Sequence, residues 1–285
     1  GIPQVMAAVE LANPKEHRKI SHLLSIKIMI FKVLSSVILV IGGGAVGREG
    51  PTIQIAGSVF RKVNEFLPEW WPKISKKNMI MTGAAAGLSA AFNTPLGGIV
   101  FAVEELSKTH INYFKTALFT AVIIAGLTAQ TFAGSYLYLG YPKTSDISIL
   151  IIFPVILVSA VSGIFASQLS RIMLSISAWK KNLKTDRANI IFLVISALII
   201  AFLAYFINEE ILGSGKGIME RILFSDNKNE DWYMPLFRML GPALSFTSGG
   251  AGGIFAPALS AGASIGSVIA GWISLTPHET NVVIL

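Results

Sequence analysis

Residues Gly42 to Val59 read GGGAVGREGPTIQIAGSV and follow an apolar run that begins near Leu34. A helix crossing lipid has no reason to carry Gly47-Arg48-Glu49-Gly50-Pro51, because proline removes a backbone donor and glycine weakens helix propensity. Proline just inside a helix start is tolerated, since that N–H has no intrahelical partner anyway. Gly50-Pro51 therefore reads as the N-terminus of a helix that starts within the membrane. Irregular backbone at that depth survives only when buried in protein or lining a cavity. There, exposed N–H groups and the positive end of the helix dipole favour an anion. Glu49 sits in the same turn. A carboxylate inside a membrane costs about 2.5 kcal/mol or more, which makes it a functional candidate. Ionised, it occupies the anion's place; protonated, it vacates it. Such a group is a gate and a proton carrier at once. The plainer alternative is a structural ion pair with the adjacent Arg48.

The rest of the chain supplies the membrane that this reading needs. Of 285 residues 53% are apolar and 14% charged, with a mean hydropathy of +0.64. Soluble domains carry about 25% charged residues. Asn78 to Val103, Thr116 to Pro142, Ile147 to Ser170, Ile190 to Ile207 and Met239 to Pro277 contain no Asp, Glu, Lys or Arg. Each but the last is the length of about one bilayer-spanning helix, and the last has room for two segments. The net charge of +7 is spread between these runs. Lys15, Arg18 and Lys19 form one cluster, and Arg61, Lys62, Lys73, Lys76 and Lys77 a second. Arg171, Lys180, Lys181, Lys184 and Arg187 form a third. Such clusters read as loops held on the cytosolic side, with Trp70, Trp71 and Trp179 at headgroup level, and not as a nucleic-acid surface. Cysteine is absent, which excludes thiol catalysis and disulfides, and His17, His22, His110 and His278 lack metal-ligand spacing. No charged n-region followed by an apolar h-region opens the chain, so no signal peptide is expected.

A second stretch matches the first. Gly249 to Val268 reads GGAGGIFAPALSAGASIGSV, and one offset of 206 residues carries Gly47 onto Gly253 and Pro51 onto Pro257. A shared G-x-x-x-P kernel in two membrane segments indicates duplication, as in many transporters. In the first copy a Gly-rich helix pair, GAAAGLSAAFNTPLGGIVFAVEEL, starts at Gly83, 32 residues past Pro51; only 28 residues follow Pro257. The expectation is a fragment cut within its second repeat. Glu104 and Glu105 close the first-copy pair; carboxylates at a helix C-terminus oppose the dipole, though meeting water there is ordinary.

At these motifs the sequence resembles the CLC family of chloride channels and proton-coupled chloride exchangers. The family's GSGIP, G(K/R)EGP and GxFxP landmarks appear here as Gly1-Ile2-Pro3, Gly47 to Pro51 and Gly253 to Pro257. The turn Phe92-Asn93-Thr94-Pro95, continuing to Glu105, matches its fourth. The resemblance implies an all-α polytopic membrane protein with broken and re-entrant helices in an inverted repeat. The first repeat would be residues 1–143, lacking its start, and the second, truncated, 144–285. It implies Glu49 as the gating glutamate and Glu105 as the inner proton-transfer residue, an acid that channel members usually lack. It implies anion sites lined by Gly1, Ile2, Gly47, Arg48, Gly50, Ile254, Phe255 and Ala256. The function implied is transmembrane chloride transport by proton-coupled exchange, with a passive voltage- or pH-gated channel as the alternative. Chloride, protons and the bilayer of the cell membrane are the partners, a homodimer is the expected assembly, and no enzymatic activity and no cofactor beyond the transported anion are expected. The serine that helps choose chloride over nitrate would precede Gly1.

Two other motifs are weaker. Gly42, Gly44 and Gly47 form a G-x-G-x-x-G, but a dinucleotide site needs a short preceding strand and an uninterrupted helix, which Gly50-Pro51 denies. Gly213-Ser214-Gly215-Lys216-Gly217 lacks the Ser or Thr of a P-loop and reads as a second-repeat relative of the G-x-G-I-P turn. The repeat arithmetic carries its own test. These 285 residues, expressed alone and reconstituted, are expected to carry no anion flux above empty liposomes; robust proton-dependent efflux would refute the repeat reading.

Overall fold

The computed structural model describes residues 1–13, 15–72, 74–107, 115–134, 139–145, 147–183 and 185–285. Lys73, Lys184 and His110 lie outside them. Among the described residues twelve α-helices form and no strand does. The chain divides into two compact units, Gly1–Val37 with Arg48–Tyr138, and Ile38–Gly47 with Leu139–Leu285. Among the described residues five helical segments are long and apolar enough to cross a membrane: His17–Ile41, Lys115–Ala133, Ile149–Lys180, Asp186–Phe206 and Phe255–Trp272.

The first unit contains α1 (Ile2–Glu10), the larger part of α2 (Ile26–Ile41), α3 (Glu49–Phe66), α4 (Lys76–Phe92), α5 (Pro95–Phe101) and α6 (Lys115–Ala133). The apolar run Asn78–Val103 is not one span. Asn93 takes the left-handed conformation (φ 54°, ψ 41°) that ends α4, and Pro95 opens α5. Asn tolerates that conformation better than most side chains, and Pro suits a first helical turn. Small residues bring α3 and α4 together. A Cβ on Gly83 would stand 2.7 Å from the Ala56 carbonyl oxygen, and one on Gly87 2.7 Å from Ala56 Cβ. Without such contacts the backbones would sit further apart in lipid, where packing must replace the hydrophobic effect. Ser89 Oγ donates to the Val122 carbonyl at 3.1 Å, joining α4 to α6. Val5, Ile20, Leu24, Ile53, Ile80 and Leu106 form the apolar centre of this unit.

The second unit contains α7 (Ile152–Lys180), α8 (Asp186–Phe206), α9 (Lys216–Phe224), α10 (Met234–Thr247), α11 (Phe255–Trp272) and α12 (Pro277–Ile284). The run Met239–Pro277 thus supplies two helices. Only 6% of the most apolar window of α7 is buried in protein, against 67% for α11. α7 and α8 present apolar faces to lipid; α11 is the centre about which its unit packs. Val158 of α7, Ile265 and Ile269 of α11 and Val283 of α12 form one cluster.

The basic clusters are not all loops. Arg61 and Lys62 lie within α3, Arg171 and Lys180 within α7, and Arg187 within α8. Lys180 Nζ donates to the carbonyls of Thr247 and Ser248, each at 2.8 Å, so the tip of α7 caps the end of α10. A cation there meets the negative end of the helix dipole. The preceding element also settles the dinucleotide reading, because the glycines at Gly42–Gly47 follow helix α2 and not a strand.

The α3–α4 contact leaves no slack for a side chain. Gly87→Val should destabilise the protein by about 1–3 kcal/mol, the usual range for overpacking. Gly163→Ala, in α7 with nothing within 4 Å of the added carbon, is the control. Thermal unfolding in detergent reads both: a lowered Tm for Gly87→Val alone is expected, and equal values would contradict the packing account.

Candidate functional site

Both kernel helices begin two residues before their proline. α3 starts at Glu49 with Arg48 as N-cap, and α11 at Phe255 with Ile254 as N-cap. Pro51 and Pro257 each fall third in the helix, still among the first four N–H positions that lack an intrahelical acceptor. The helix α1 starts the same way, with Gly1 as N-cap and Pro3 second. These three turns hold the residues that the sequence picked out.

In the first unit the turns of α1 and α3 meet. A Cβ on Gly1 would lie 2.9 Å from Gly50 Cα, so the absence of side chains lets the two helix starts touch. Glu49 is buried, 2% exposed, whereas its neighbour Arg48 is exposed. Arg48 Nη2 donates to the Ala91 carbonyl at 3.4 Å, near the end of α4. Thr52 holds the same turn from within: its N–H and its Oγ1 both donate to the Arg48 carbonyl, at 3.1 and 2.9 Å.

In the second unit the two kernel glycines are paired. Gly47 N–H donates to the Gly253 carbonyl at 2.8 Å, and Gly253 N–H donates back to the Gly47 carbonyl at 2.6 Å. Close approach requires glycine alongside, because a Cβ on Gly252 would stand 2.4 Å from that of Val46. Ser245 Oγ accepts the Ala45 N–H at 3.0 Å. Beyond this pairing, Ala256 is fully buried, while Ile254 and Phe255 are partly exposed at the start of α11.

Glu105 and Glu104 are exposed, in a π turn over Ala102–Leu106 that extends α5. The uncharged run before them gave no signal of that turn. π turns break the regular ladder and recur at functional positions.

Sequence reading missed a polar stripe on each kernel helix. The third, seventh and tenth residues after Pro51 are Gln54, Ser58 and Arg61; after Pro257 they are Ser260, Ser264 and Ser267, and all six are buried. Ser58 Oγ donates to the Gln54 carbonyl at 2.9 Å, and Ser264 Oγ to the Ser260 carbonyl at 2.8 Å. Arg61 donates to the Leu24 carbonyl in the link between α1 and α2. Ser267 Oγ donates to the Lys228 carbonyl in the link between α9 and α10. Gln54 Nε2 adds a bond to the Leu23 carbonyl at 2.9 Å. The same offset of 206 that joins the kernel glycines and prolines carries Gln54, Ser58 and Arg61 onto Ser260, Ser264 and Ser267.

Two solved structures share this fold. One, a CLC-type fluoride/proton antiporter, superposes with a TM-score of 0.78 at 18% identity, over 100% of this chain and 68% of that one. The other, a slow cyanobacterial Cl-/H+ antiporter, gives a TM-score of 0.78 at 21% identity, over 96% of this chain and 62% of that one. The chain therefore spans roughly two thirds of each. The voltage gated chloride channel family matches it over residues 1–285. With that match along its whole length and five membrane-capable helices, the chain is an integral multi-pass membrane protein and belongs to the voltage gated chloride channel, or CLC, family.

Proposed function

We propose that this chain forms part of the anion path of a proton-coupled chloride exchanger, with Glu49 as the gate and Glu105 as the inner proton-transfer residue. The observation that carries this reading is a buried carboxylate in the first turn of α3, a helix whose start touches that of α1. Amides at a helix start favour an anion there, whether it is the Glu49 carboxylate or a halide. Backbone dipoles hold a halide without a full positive charge, so that binding stays weak enough for release. The proposed donors are, in the first unit, the amides of Arg48, Glu49 and Gly50 with Gly1 and Ile2 beside them, and, in the second, the amides of Ile254, Phe255 and Ala256 with Gly47. The exposure of Glu105 supports a proton-transfer role for it. The matching polar stripes of α3 and α11 support the reading of two copies of one unit, residues 1–143 and 144–285. The antiport named for both similar structures agrees with exchange.

Glu49→Gln, in the full-length protein reconstituted in liposomes, should abolish proton coupling while anion flux persists. Glu105→Gln should leave anion movement but stop uphill proton pumping driven by an anion gradient. The reversal potential checks both: in the unmodified protein it should shift with the proton gradient, and in each variant it should not. Coupling that survives Glu49→Gln removes the gate assignment. A reversal potential indifferent to pH in the unmodified protein would make it a channel.

A further inference from the structure

Arg238 lies in α10 and is fully buried. Its guanidinium reaches two other segments. Nε and Nη2 donate to Ser260 Oγ of α11, at 2.9 and 2.6 Å. Nη1 donates to the carbonyls of Glu210, Ile211 and Leu212, at 3.1, 2.9 and 3.1 Å, just ahead of α9. Gly215, the N-cap of α9 at φ +80°, gives the group room: a Cβ there would stand 2.1 Å from Nη2 and 2.2 Å from Ser260 Oγ. The segment Glu210–Gly213 ahead of α9, the second turn of α10 and the second turn of α11 are thus held on one planar fork. Burying a cation costs several kcal/mol unless its donors are used, and apolar residues would pack the same space without that cost. Charged residues within membrane segments are functional candidates for this reason.

Ser260 carries the contact onward. While accepting from Arg238, its hydroxyl donates to the Pro257 carbonyl at 2.8 Å. Pro257 is in the first turn of α11, three residues past the N-cap Ile254. A line of hydrogen bonds therefore runs from the guanidinium through one hydroxyl into the turn whose amides are the proposed anion donors. The geometry suits arginine alone. Two donors converge on one oxygen while a third faces a row of carbonyls, and a lysine ammonium, a point charge on a flexible stem, does not reproduce that fork.

We infer that Arg238, acting through Ser260, is a positioning residue that sets the orientation of the Ile254–Ala256 amides and thereby anion affinity. This rests on the reading that the α11 turn holds the anion, and the experiment separates the two. Ser260→Ala, Arg238→Lys and the double variant are made in the full-length protein. Amide hydrogen exchange over Ala258 to Ala261, chloride binding by calorimetry, and maximal turnover in liposomes are then measured. Loss of one buried hydrogen bond should speed exchange there, and raise the chloride Kd, by about tenfold, while turnover at saturating chloride changes less. Because both residues act in one line, the double variant should be no weaker in chloride binding than Arg238→Lys alone. Unchanged exchange and unchanged chloride affinity in folded Ser260→Ala overturn the inference, as do fully additive losses. Faster exchange with unaltered chloride affinity would overturn it too, leaving Arg238 a structural clamp only. An unmodified protein that binds no chloride would instead remove the anion reading, while exchange still reports whether the clamp exists. If Arg238→Lys does not fold, Ser260→Ala, which loses a single hydroxyl, decides.

Discussion

A backbone amide or carbonyl without a partner in lipid costs several kcal/mol, and no water is at hand to relieve it. Helices meet this demand internally except at their ends, and this fold places helix ends where spanning helices would normally run unbroken. Gly47 and Gly253 answer it by bonding to each other in both directions. Gly253 stands immediately before Ile254, the N-cap of α11, so satisfying these four groups also fixes where α11 begins. The small residues around them follow from that contact: Val46 fills the space that a side chain on Gly252 would need.

Polarity is distributed unevenly as a result. α7 and α8 are predominantly apolar, as lipid requires; α7 carries Ser159, Ser162, Gln168 and Arg171 within its length, and α8 has Asp186 and Arg187 at its start. α3 and α11 instead hide a polar stripe in protein and use it to hold the links between neighbouring helices. The first turns of both helices are held in protein as well: Glu49 and Ala256 are buried.

How much of this was legible follows from the same division. Lipid-facing helices announce themselves by composition, so the runs at Thr116–Pro142, Ile147–Ser170 and Ile190–Ile207 each mark one helix, although α6 ends at Ala133, short of its run, and α7 continues to Lys180, beyond its own. Proline and glycine spacing gave the three helix starts. What composition hides are the central elements. α3 is not among the five membrane-capable helices, because Gln54, Arg61 and Asn64 lower its hydropathy while being buried. Arg61 reads as part of a loop cluster with Lys62, Lys73, Lys76 and Lys77; its ion pair with Glu65 at 3.0 Å and its bond to the carbonyl of Leu24, 37 residues away, hold it in protein instead. Arg238 borders an uncharged run and looks like its edge, yet its partners come from residues 210–213 and 260. Tertiary carbonyls leave no trace in local sequence, and neither does the π turn that carries Glu105.

The length of α7 places a further demand on its surroundings. Its 29 residues extend for about 43 Å, against a hydrocarbon layer of about 30 Å. Such a helix fits only by steep inclination, by local thickening of the lipid, or by sending its last turns, with Trp179 and Lys180, into the headgroups. Lys180, at its tip, holds the carbonyls that end α10, and Gly249 to Gly253 lead from there to α11. Acyl chains of different length are therefore met at this tip, by Trp179 and Lys180 in the headgroups or by the inclination that packing against α10 and α11 allows.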